Sequence, residues 1–484
     1  MKLVGAGVFA LALAFYAALL PIGVSQWDPG EMQTVPYILG IPHPPGFPLY
    51  VLTGWLWTHV VPLGDVATRM TALSALCGAL AAYVLFRAAC ELGASRAAAA
   101  LGAALFALAP IVVVHVTRAG VEPMLVLLVG IAVWAALRRA RTGSRRALLV
   151  ASGAAGLALA VHTLAIWFLP GLAVLLARPA PKPREALLAC GAFLAGPLLY
   201  AYLPLRSAVV ARFGLDPTVA LGLAPGVQGL LDNDHPASWA GFVRHVSGAQ
   251  FGASGALGAP FVLAAYPAYL DRWWEILAGP GIVAGALALI GLAALLARRA
   301  RIGLGVVLIA FLAIPFSLRY GALVDAAKYY LVATWVGALA AALGVQAILG
   351  ALRPGLVRRT AAYALAAATV FGLAHVLAAD PGTYAQRHLV DGRQVIDGVL
   401  ASTPNDAIVI AAWTYATPLA YAQYVEHALG GRQVITDEAP PELIARWRAT
   451  RPVFVIPFSV QSKPAALRLQ PVPASWPAIY RVLP

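Results

Sequence analysis

The N-terminal stretch that decides the fold covers residues 3–31 and reads LVGAGVFALALAFYAALLPIGVSQWDPGE. Its apolar run, residues 3–24, is long enough to cross a hydrocarbon core of roughly 30 Å as a helix. Two carboxylates, Asp28 and Glu31, follow directly. The stretch therefore predicts a membrane span that ends at a charged surface. The run after Met1-Lys2 also resembles a signal peptide, but we expect it to be retained as the first span.

Composition extends this prediction to the whole chain. Of 484 residues, 61% are hydrophobic and only 11% are charged, and the mean hydropathy is +0.80. A soluble protein of this length needs more surface charge. The net charge of +14 comes from arginines in short loops between apolar runs, which indicates membrane topology rather than nucleic-acid binding. All three cysteines lie in apolar runs, so neither a disulfide framework nor a metal-thiolate site is predicted.

Basic loops set the predicted topology, because cytoplasmic loops of membrane proteins collect Lys and Arg. The basic clusters are Arg138–Arg146, Arg178–Arg184, Arg298–Arg301 and Arg353–Arg359. Placing all of them in the cytoplasm predicts about eleven spans, with the N-terminus inside and the C-terminus outside. The predicted spans are residues 3–24, 66–90, 97–116, 121–137, 147–162, 164–177, 185–203, 275–297, 302–317, 328–350 and 360–378. The pair between residues 147 and 177 is short and predicts a thin or re-entrant hairpin.

Three long segments then lie on the outer side: residues 25–65, 204–274 and 379–484. The first two are outer loops of a membrane module that covers residues 1–378. The third alternates predicted helices with short apolar strands, which is typical of a small α/β domain. Its predicted helices are Gln386–Leu400, Pro418–Ala428 and Glu442–Thr450, and its predicted strands are Ala407–Trp413, Gln433–Thr436 and Val453–Pro457. The predicted fold is thus an all-α polytopic membrane protein with an extracytoplasmic α/β domain.

Several motifs resemble one family of membrane enzymes. They are Asp28–Glu31 (DPGE) with Leu39–Tyr50 (LGIPHPPGFPLY), Gly156–Pro170, Tyr202–Ser207 (YLPLRS), Asp234–Pro236 (DHP) with His245–Phe251 (HVSGAQF), and Pro418–Gln423. The chain resembles the GT-C glycosyltransferases, in the protein O-mannosyltransferase-like branch that includes an animal enzyme for receptor ectodomains and bacterial relatives. Two stretches depart from the family pattern, namely Asp232-Asn233 before the DHP motif and Ala412-Trp413-Thr414 at the start of the C-terminal motif.

The resemblance implies a GT-C-like fold and transfer of one mannose-like sugar from a polyprenyl phosphate to a hydroxyl acceptor, with inversion. A protein Ser or Thr, a glycan or a glycolipid is the implied acceptor. The implied location is the bacterial plasma (inner) membrane. A transporter or lipid-carrier flippase without transferase activity is the alternative from another class, and a non-catalytic lipid-carrier-binding protein is a third. Transporters tend to show inverted repeats and discontinuous helices at mid-depth, whereas here the polar residues gather in outer loops.

Asp28 and Glu31 are the catalytic candidates. Sugar transfer to a hydroxyl needs a base that takes the proton as attack develops, and an anion near the sugar also stabilises oxocarbenium character. Asp28 is the predicted base and Glu31 the second choice, with both on one face of a helical turn. The alternative is that they only cap or charge the start of a juxtamembrane helix.

A second set of residues is predicted to bind the donor and its phosphate. It comprises His43, Arg118, Glu122, His162, Arg206, Arg319, Lys328 and Tyr329. Arginine offers a planar fork of donors for phosphate oxygens, and the prolines around His43 restrict its loop. Each member also has a structural alternative: a turn histidine, a salt bridge between Arg118 and Glu122, a packed His162, or cations that anchor helix ends.

Asp234, His235, His245 and Gln250 are predicted to line an acceptor or sugar pocket. The histidines and aspartates of residues 232–245 match no strong metal-ligand spacing. No metal and no cofactor is therefore predicted, and the expected partners are the lipid-linked sugar, its acceptor and membrane lipids.

Overall fold

The computed structural model describes residues 2–226, 230–254, 281–312, 326–379, 381–384, 391–436, 439–459, 464, 467–473 and 475–483. The chain divides into two compact units. The helical unit comprises Met1–Leu20, Ser74–Leu199 and Phe251–Gln386. The mixed unit comprises Pro21–Leu73, Tyr200–Gln250 and Arg387–Pro484.

The α-helices of the described residues are α1 (Lys2–Leu19), α2 (Trp27–Thr34), α3 (Pro48–Val60), α4 (Val66–Glu91), α5 (Arg96–Leu108), α6 (Pro110–Val116), α7 (Glu122–Thr142), α8 (Arg145–Val161), α9 (Leu169–Leu176), α10 (Pro183–Leu194), α11 (Tyr202–Arg212), α12 (Pro217–Ala220), α13 (Trp239–Ser247), α14 (Ile282–Arg298), α15 (Ala300–Phe311), α16 (Leu331–Ala351), α17 (Leu356–Ala379), α18 (Asp391–Ser402), α19 (Trp413–Tyr424) and α20 (Pro441–Arg448). The strands are β1 (Ile408–Ala411), β2 (Gln433–Thr436), β3 (Val453–Ile456), β4 (Leu469–Pro471) and β5 (Tyr480–Val482). Short 3₁₀ helices cover Thr163–Phe168, Pro197–Ala201, Ala249–Ser254, Ala326–Tyr330 and Pro381–Tyr384.

Six helices of the described residues are long and apolar enough to cross a membrane, or seven if the bent pair α5–α6 forms one span. Each of the eleven predicted spans overlaps a helical segment of the residues that the structure describes. The remaining four, α8, the 3₁₀–α9 segment, α14 and α15, are shorter. The prediction of a polytopic, mainly helical membrane protein is confirmed, while the count of eleven spans stays a prediction.

Helix α16 forms the centre of the helical unit. Its residues from Leu331 to Val345 are all buried. A helix that is apolar all round is typical of a protein core or a membrane span, and here neighbouring segments of the chain cover this stretch. The indole Nε1 of Trp335 donates to the carbonyl of Ala81, 3.0 Å away. This bond satisfies the polar atom of a large side chain that the packing buries completely.

The mixed unit contains a five-stranded sheet with the order β2-β1-β3-β5-β4. The pairs β1–β2 and β1–β3 are parallel, with Ile408 opposite both Gln433 and Val453, and β5 is antiparallel to β3 and to β4. Alternate residues of β1 face two different cores, as the two-residue period of a strand requires. Val409 packs with α18 and α19 on one face, whereas Ile410 packs with α20 on the other. The predicted C-terminal α/β fold is confirmed.

Three predicted elements of this region differ from the structure. The predicted strand 407–413 ends at Ala411, because Trp413 already begins α19. This helix starts before Pro418 and carries the proline inside. The predicted outer loop 25–65 contains two helices, α2 and α3, in addition to the proline-rich turn between them.

Candidate active site

Helix α2 positions the first candidate base. Asp28 stands in its first turn and Pro29 follows, a residue order that suits a helix start. The fully buried Gln33 anchors the helix: its Oε1 accepts from the amide of Ser25 at 2.8 Å, and its Nε2 donates to Thr71 Oγ1 at 3.2 Å. Asp28 therefore lies at the start of a helix whose C-terminal end is held in place by the buried side-chain amide of Gln33.

Trp413 orients the carboxylate of Asp28. Its indole Nε1 donates to Asp28 Oδ1 at 3.0 Å, and the neighbouring Thr414 hydroxyl donates to Gln26 Oε1 at 2.8 Å. Asp28 is half-buried. A carboxylate that accepts an N–H bond from a neighbouring side chain is held in one orientation. This arrangement is what a proton acceptor needs.

Glu31 and His43 form a buried pair beside it. The side chain of Glu31 is fully buried, and its Oε2 contacts His43 Nδ1. Its other oxygen accepts from the backbone amide of His43 at 2.8 Å. Because an ionised carboxylate only accepts, Nδ1 of His43 carries a proton in this pair. The His43 side chain is 17% exposed, and its ring stands edge-on to Trp413, with centroids 6.3 Å apart.

The turn that leads to His43 is held by two side chains of α11. Tyr202 donates its hydroxyl to the carbonyls of Leu39 and Gly40, at 2.6 and 2.9 Å. Arg206 donates Nε to the Leu39 carbonyl at 2.6 Å and Nη2 to that of Ile38 at 3.2 Å. Arg206 thus anchors the loop in this structure, while its predicted phosphate contact stays a prediction.

The predicted acceptor residues gather on a second loop that pairs with the first. The amide of Ile41 donates to the Leu231 carbonyl at 3.1 Å. Asp232 Oδ2 contacts His235 Nδ1 at 2.7 Å, and Ser207 contacts the same nitrogen at 3.2 Å. Ser207 and Asp232 contact the same ring nitrogen of His235. A nucleophilic triad needs the serine and the carboxylate on opposite ring nitrogens, so these three residues do not form one. Gln250, also predicted here, is exposed at the end of the same unit.

Asp234 forms the second histidine pair of this loop. Its Oδ2 accepts from His245 Nδ1 at 3.1 Å, and its Oδ1 accepts from Arg244 Nε at 2.7 Å. Burial opposes ionisation of Asp234, but the bond from His245 and the charge of Arg244 outweigh it and lower the pKa. Burial also lowers the pKa of His245 and outweighs the opposing effect of Asp234. The folded protein therefore favours an ionised Asp234 beside a neutral His245.

Gly46 joins the two loops. Its φ of +91° lies in the left-handed region that glycine adopts without strain. A Cβ atom at this position would stand 2.8 Å from His245 Nε2 and 2.9 Å from Leu203. His245 Nε2 is buried and has no hydrogen-bond partner among the described residues. The proline-rich turn is thus packed directly on the His245 ring.

The other predicted donor residues belong to the helical unit. Glu122 is buried at the start of α7, and the half-buried Arg118 precedes it by four residues. His162 is buried and caps the 3₁₀ helix Thr163–Phe168, where its Nδ1 accepts from the Leu164 amide at 3.0 Å. Its ring stands edge-on to Tyr329, 5.9 Å between centroids. Lys328 lies over the Tyr329 ring with Nζ 5.6 Å from the centroid. Arg319 lies outside the described residues.

Within the described part of the chain, no three His, Cys, Asp or Glu side chains are grouped so that they could hold a metal ion. The site residues that the sequence did not reveal are Trp413, Tyr202 and Arg244. Tyr202 lies in a quoted motif, and Trp413 lies at a departure from the family pattern. Their positions in these motifs could have drawn attention to both residues, but their contacts could not be predicted from the sequence.

Comparison with solved structures gives the fold. The chain matches ArnT from Cupriavidus metallidurans bound to undecaprenyl phosphate with a TM-score of 0.57 and 13% identity, over 98% of this chain and 97% of that one. The apo state of ArnT matches with a TM-score of 0.55 and 12% identity over the same shares. The chain has the GT-C fold. With its membrane-spanning helices, the chain is an integral membrane protein.

Sequence comparison finds relatives of the N-terminal part of the chain. Residues 28–184 match the N-terminal domain of protein O-mannosyl-transferase TMEM260. The TMEM260 protein of Mus musculus is 32% identical over 209 residues, 41% of this chain and 30% of the mouse protein. That of Dictyostelium discoideum is 32% identical over 65 residues, 13% of this chain and 8% of its own length. The chain thus aligns with less than a third of the length of these relatives. The resemblance to protein O-mannosyltransferases that the sequence motifs indicated is confirmed as a similarity over this part of the chain.

Proposed function

We propose that this GT-C protein transfers a single mannose-like sugar from a polyprenyl phosphate to a hydroxyl acceptor at the outer face of a bacterial inner membrane. The observation that carries the proposal is the Asp28 carboxylate. It is half-buried and accepts a hydrogen bond from Trp413 Nε1. The ring of the same tryptophan also contacts the ring of His43. The cytoplasmic position of the N-terminus is part of the proposal.

The reaction is a single displacement. The acceptor oxygen attacks the anomeric carbon, the bond from that carbon to the phosphate oxygen breaks, and the polyprenyl phosphate leaves with the electron pair. Asp28 takes the hydroxyl proton as the new bond forms. Because attack comes from the face opposite the phosphate, the anomeric configuration inverts.

Glu31 acts through His43 in this proposal. Both Glu31 oxygens contact His43, and its side chain is fully buried. It is therefore poorly placed to meet a substrate hydroxyl and well placed to hold an imidazole ring. His43 orients the donor as an imidazolium, in which both ring nitrogens carry a proton and Nε2 donates to a phosphate oxygen. The donor-binding roles of Arg118, Glu122, His162, Arg319, Lys328 and Tyr329 stay predictions from the sequence.

Names of the relatives support the chemistry. The mouse and Dictyostelium proteins are named protein O-mannosyl-transferases, and the ArnT structure holds undecaprenyl phosphate. These descriptions point to mannose, to a protein acceptor and to a lipid phosphate. We extend them to this chain as its sugar, acceptor class and donor.

The test uses the full-length protein in proteoliposomes with radiolabelled mannose on a polyprenyl phosphate. Pools of Ser/Thr peptides and of glycolipids serve as acceptors. We expect labelled peptide, with an anomeric configuration opposite to that of the donor. Labelled donor that crosses the bilayer without any transfer would instead establish the transporter alternative, and transfer with retention would contradict the single displacement.

A further inference from the structure

Helices α8 and α10 of the helical unit pack side by side and run in the same direction. A Cβ atom at Gly153 would lie 3.8 Å from the carbonyl oxygen of Ala192, and one at Gly156 would lie 1.9 Å from that of Phe193. Residues further along α8 therefore face residues further along α10. At Gly156 the two backbones touch, because a residue without a side chain lets helices approach closely.

An apolar groove, which we name the α8–α10 groove, extends from this contact toward the N-terminal ends of the two helices. It has a volume of about 350 Å³ and is lined by Ser152, Ala189, Cys190, Phe193 and Leu194. Cys190 and Leu194 are exposed, so the groove is open along its outer side. Ligand sites commonly start at roughly 300 Å³, and a hydroxyl and a thiol are the polar side-chain groups of this lining. The groove therefore suits a hydrocarbon chain better than a sugar.

The open side of the α8–α10 groove faces lipid. Helix α10 lies in a stretch that is long and apolar enough to cross a membrane, Pro183–Arg212. On its outward face, Leu187 is 74% exposed and Leu194 is 53% exposed. Exposed leucines on a membrane-spanning helix contact acyl chains rather than water.

Exposed cations stand at the N-terminal ends of both helices. Arg145 and Arg146 begin α8, Lys182 directly precedes α10, and Arg184 lies in its first turn. All four side chains are exposed, and none has an ion-pair partner among the residues that the structure describes. The parallel register of the helices sets Arg145 level with Arg184, so the four cations form one cluster. This cluster lies about 10 Å along α8 from Ser152 in the groove, at 1.5 Å per residue.

The nearest acid does not neutralise this cluster. Glu185 is the only acidic residue in the segments 138–146 and 178–186. Its Oε2 accepts from Nη2 of the buried Arg139 at 3.1 Å, so its charge is already compensated. Membrane topology accounts for the positive charge of these loops, but topology requires no groove at their end.

We propose that the α8–α10 groove binds one acyl chain of an anionic phospholipid from the leaflet at the basic loops, with its phosphate held by Arg145, Arg146 and Arg184. A hydrocarbon chain that ends in an anion matches an apolar groove that ends in cations. Arginine also donates to phosphate oxygens through a planar fork. His162 follows the last residue of α8, about 25 Å along the helix from Arg145. The lipid site is therefore separate from this predicted donor residue, and the inference does not depend on the proposed function.

The test is native mass spectrometry of the delipidated full-length protein in detergent. The probe is an equimolar mixture of phosphatidylglycerol and phosphatidylcholine with the same acyl chains. We expect the wild type to retain phosphatidylglycerol about tenfold more strongly, since basic residues favour anionic headgroups. Arg145→Gln/Arg146→Gln should lose this preference. The matched variant Arg353→Gln/Arg359→Gln removes two exposed arginines from another basic loop and should keep it.

A second pair of variants tests the groove itself. Cys190→Trp places a large ring in the groove from an exposed position. It should lower retention of phosphatidylglycerol about tenfold, because the acyl chain loses apolar contacts. Leu187→Trp adds the same ring to the outward face of the same helix and should leave retention unchanged. Phosphatidylglycerol should also raise the thermal midpoint of the wild type more than that of Cys190→Trp, since a ligand of the folded state stabilises it.

Four outcomes would overturn the inference. The first is equal retention of phosphatidylglycerol by the wild type and Arg145→Gln/Arg146→Gln. The second is an equal loss of retention in Arg353→Gln/Arg359→Gln, which would reveal a non-specific effect of charge. The third is unchanged retention by Cys190→Trp, which would show that no acyl chain occupies the groove. The fourth is stronger retention of undecaprenyl phosphate than of phosphatidylglycerol in a separate equimolar mixture, which would assign the groove to a polyprenyl chain.

Discussion

Trp413 contacts two of the candidate site residues, Asp28 and His43, through different parts of its indole. Its N–H holds Asp28, and its ring faces His43. Asp28 and His43 were predicted from the stretch that directly follows the first apolar run. Trp413 stands 385 residues away from Asp28, so only the folded chain brings the two together. The candidate residues could be predicted from the sequence, but the partners that orient them could not.

Glu31 illustrates the same limit. The sequence makes it a second candidate base, because a spacing of three residues puts it on the face of Asp28. Its complete burial follows from the turn at residues 35–42, which brings His43 back over α2. Hydrophobic periodicity carries no information about such a return, so the contact between Glu31 and His43 could not be predicted from the sequence.

At this scale we predict that Glu31 and His43 act as one unit. His43→Ala should raise KM for the donor, because the imidazole no longer meets the phosphate. Glu31→Gln should have a smaller effect in the same direction. The double variant should be no worse than His43→Ala alone, since residues that act together are not additive. Steady-state kinetics of the four proteins measure this, and additive losses would show that Glu31 contacts the substrate independently.

The Asp234–His245 pair predicts a pH effect on stability. Burial lowers the pKa of His245 below its ordinary value of 6.5. The contribution of His245 to the free energy of unfolding is therefore complete above pH 6.5. It is lost as the pH falls below that value, because the imidazole of the unfolded chain binds a proton at a higher pH than that of the folded protein. The lowered pKa of Asp234 makes its own contribution disappear only at lower pH. Stability should fall by at most about 1.4 kcal/mol per pH unit from this histidine.

The measurement is the thermal midpoint of the nanodisc-embedded protein between about pH 7.5 and about pH 5.5, a window set by the ordinary imidazole pKa. His245→Asn keeps an N–H donor for Asp234 but cannot titrate. Its midpoint should decrease less with acidification than that of the wild type. Parallel curves for the two proteins would rule out the neutral buried imidazole.

At the scale of elements, the contact of α2 with α19 fixes the site. A Cβ atom at Gly30 would lie 2.4 Å from the Ser25 carbonyl oxygen and 2.9 Å from Thr417 Oγ1. Gly30→Ala should therefore destabilise the protein by about 1–3 kcal/mol, the usual cost of overpacking, and should lower transfer by displacing Asp28. Gly7→Ala, in α1, meets nothing within 4 Å and should be neutral or slightly stabilising. Equal melting of the two variants would contradict the tight packing of α2.

Elements were predicted best where a local pattern was strong. The apolar run Gln433–Thr436 is a strand in the structure, and Val453–Pro457 is one up to Ile456. Helix α19 was misplaced, because a proline usually stands at the first turn of a helix, whereas Pro418 lies inside it. Burial of Leu419, Tyr421 and Ala422 against the sheet keeps the helix continuous. The three-residue strands β4 and β5 were missed, since runs this short give no usable period.

At the scale of the whole molecule, composition alone indicated a polytopic membrane protein, and the fold bears this out. The lengths of the individual spans are harder to predict from composition. Segments such as α15, of 12 residues, register as spans by composition but are shorter than a helix needs to cross about 30 Å at 1.5 Å per residue.

The proposed orientation can be tested by cysteine labelling. In a background without Cys77, Cys90 and Cys190, single cysteines replace the exposed Arg353 or the exposed Asp406. A membrane-impermeant maleimide added to intact spheroplasts should label Asp406→Cys and spare Arg353→Cys until the cells are lysed. The opposite pattern would place the site on the cytoplasmic side, where the proposal fails.

The most direct measurement is sugar transfer by Asp28→Asn, compared with Asp65→Asn, in proteoliposomes with mannosyl polyprenyl phosphate and the peptide pool. Asp65 lies in the same predicted outer segment, is exposed, and caps the Thr68 amide at 2.7 Å, a bond to which asparagine is equally suited. We predict that Asp28→Asn loses at least about a hundredfold in transfer rate, as removal of a general base does, while Asp65→Asn keeps the wild-type rate. Transfer at the wild-type rate by Asp28→Asn would contradict the account.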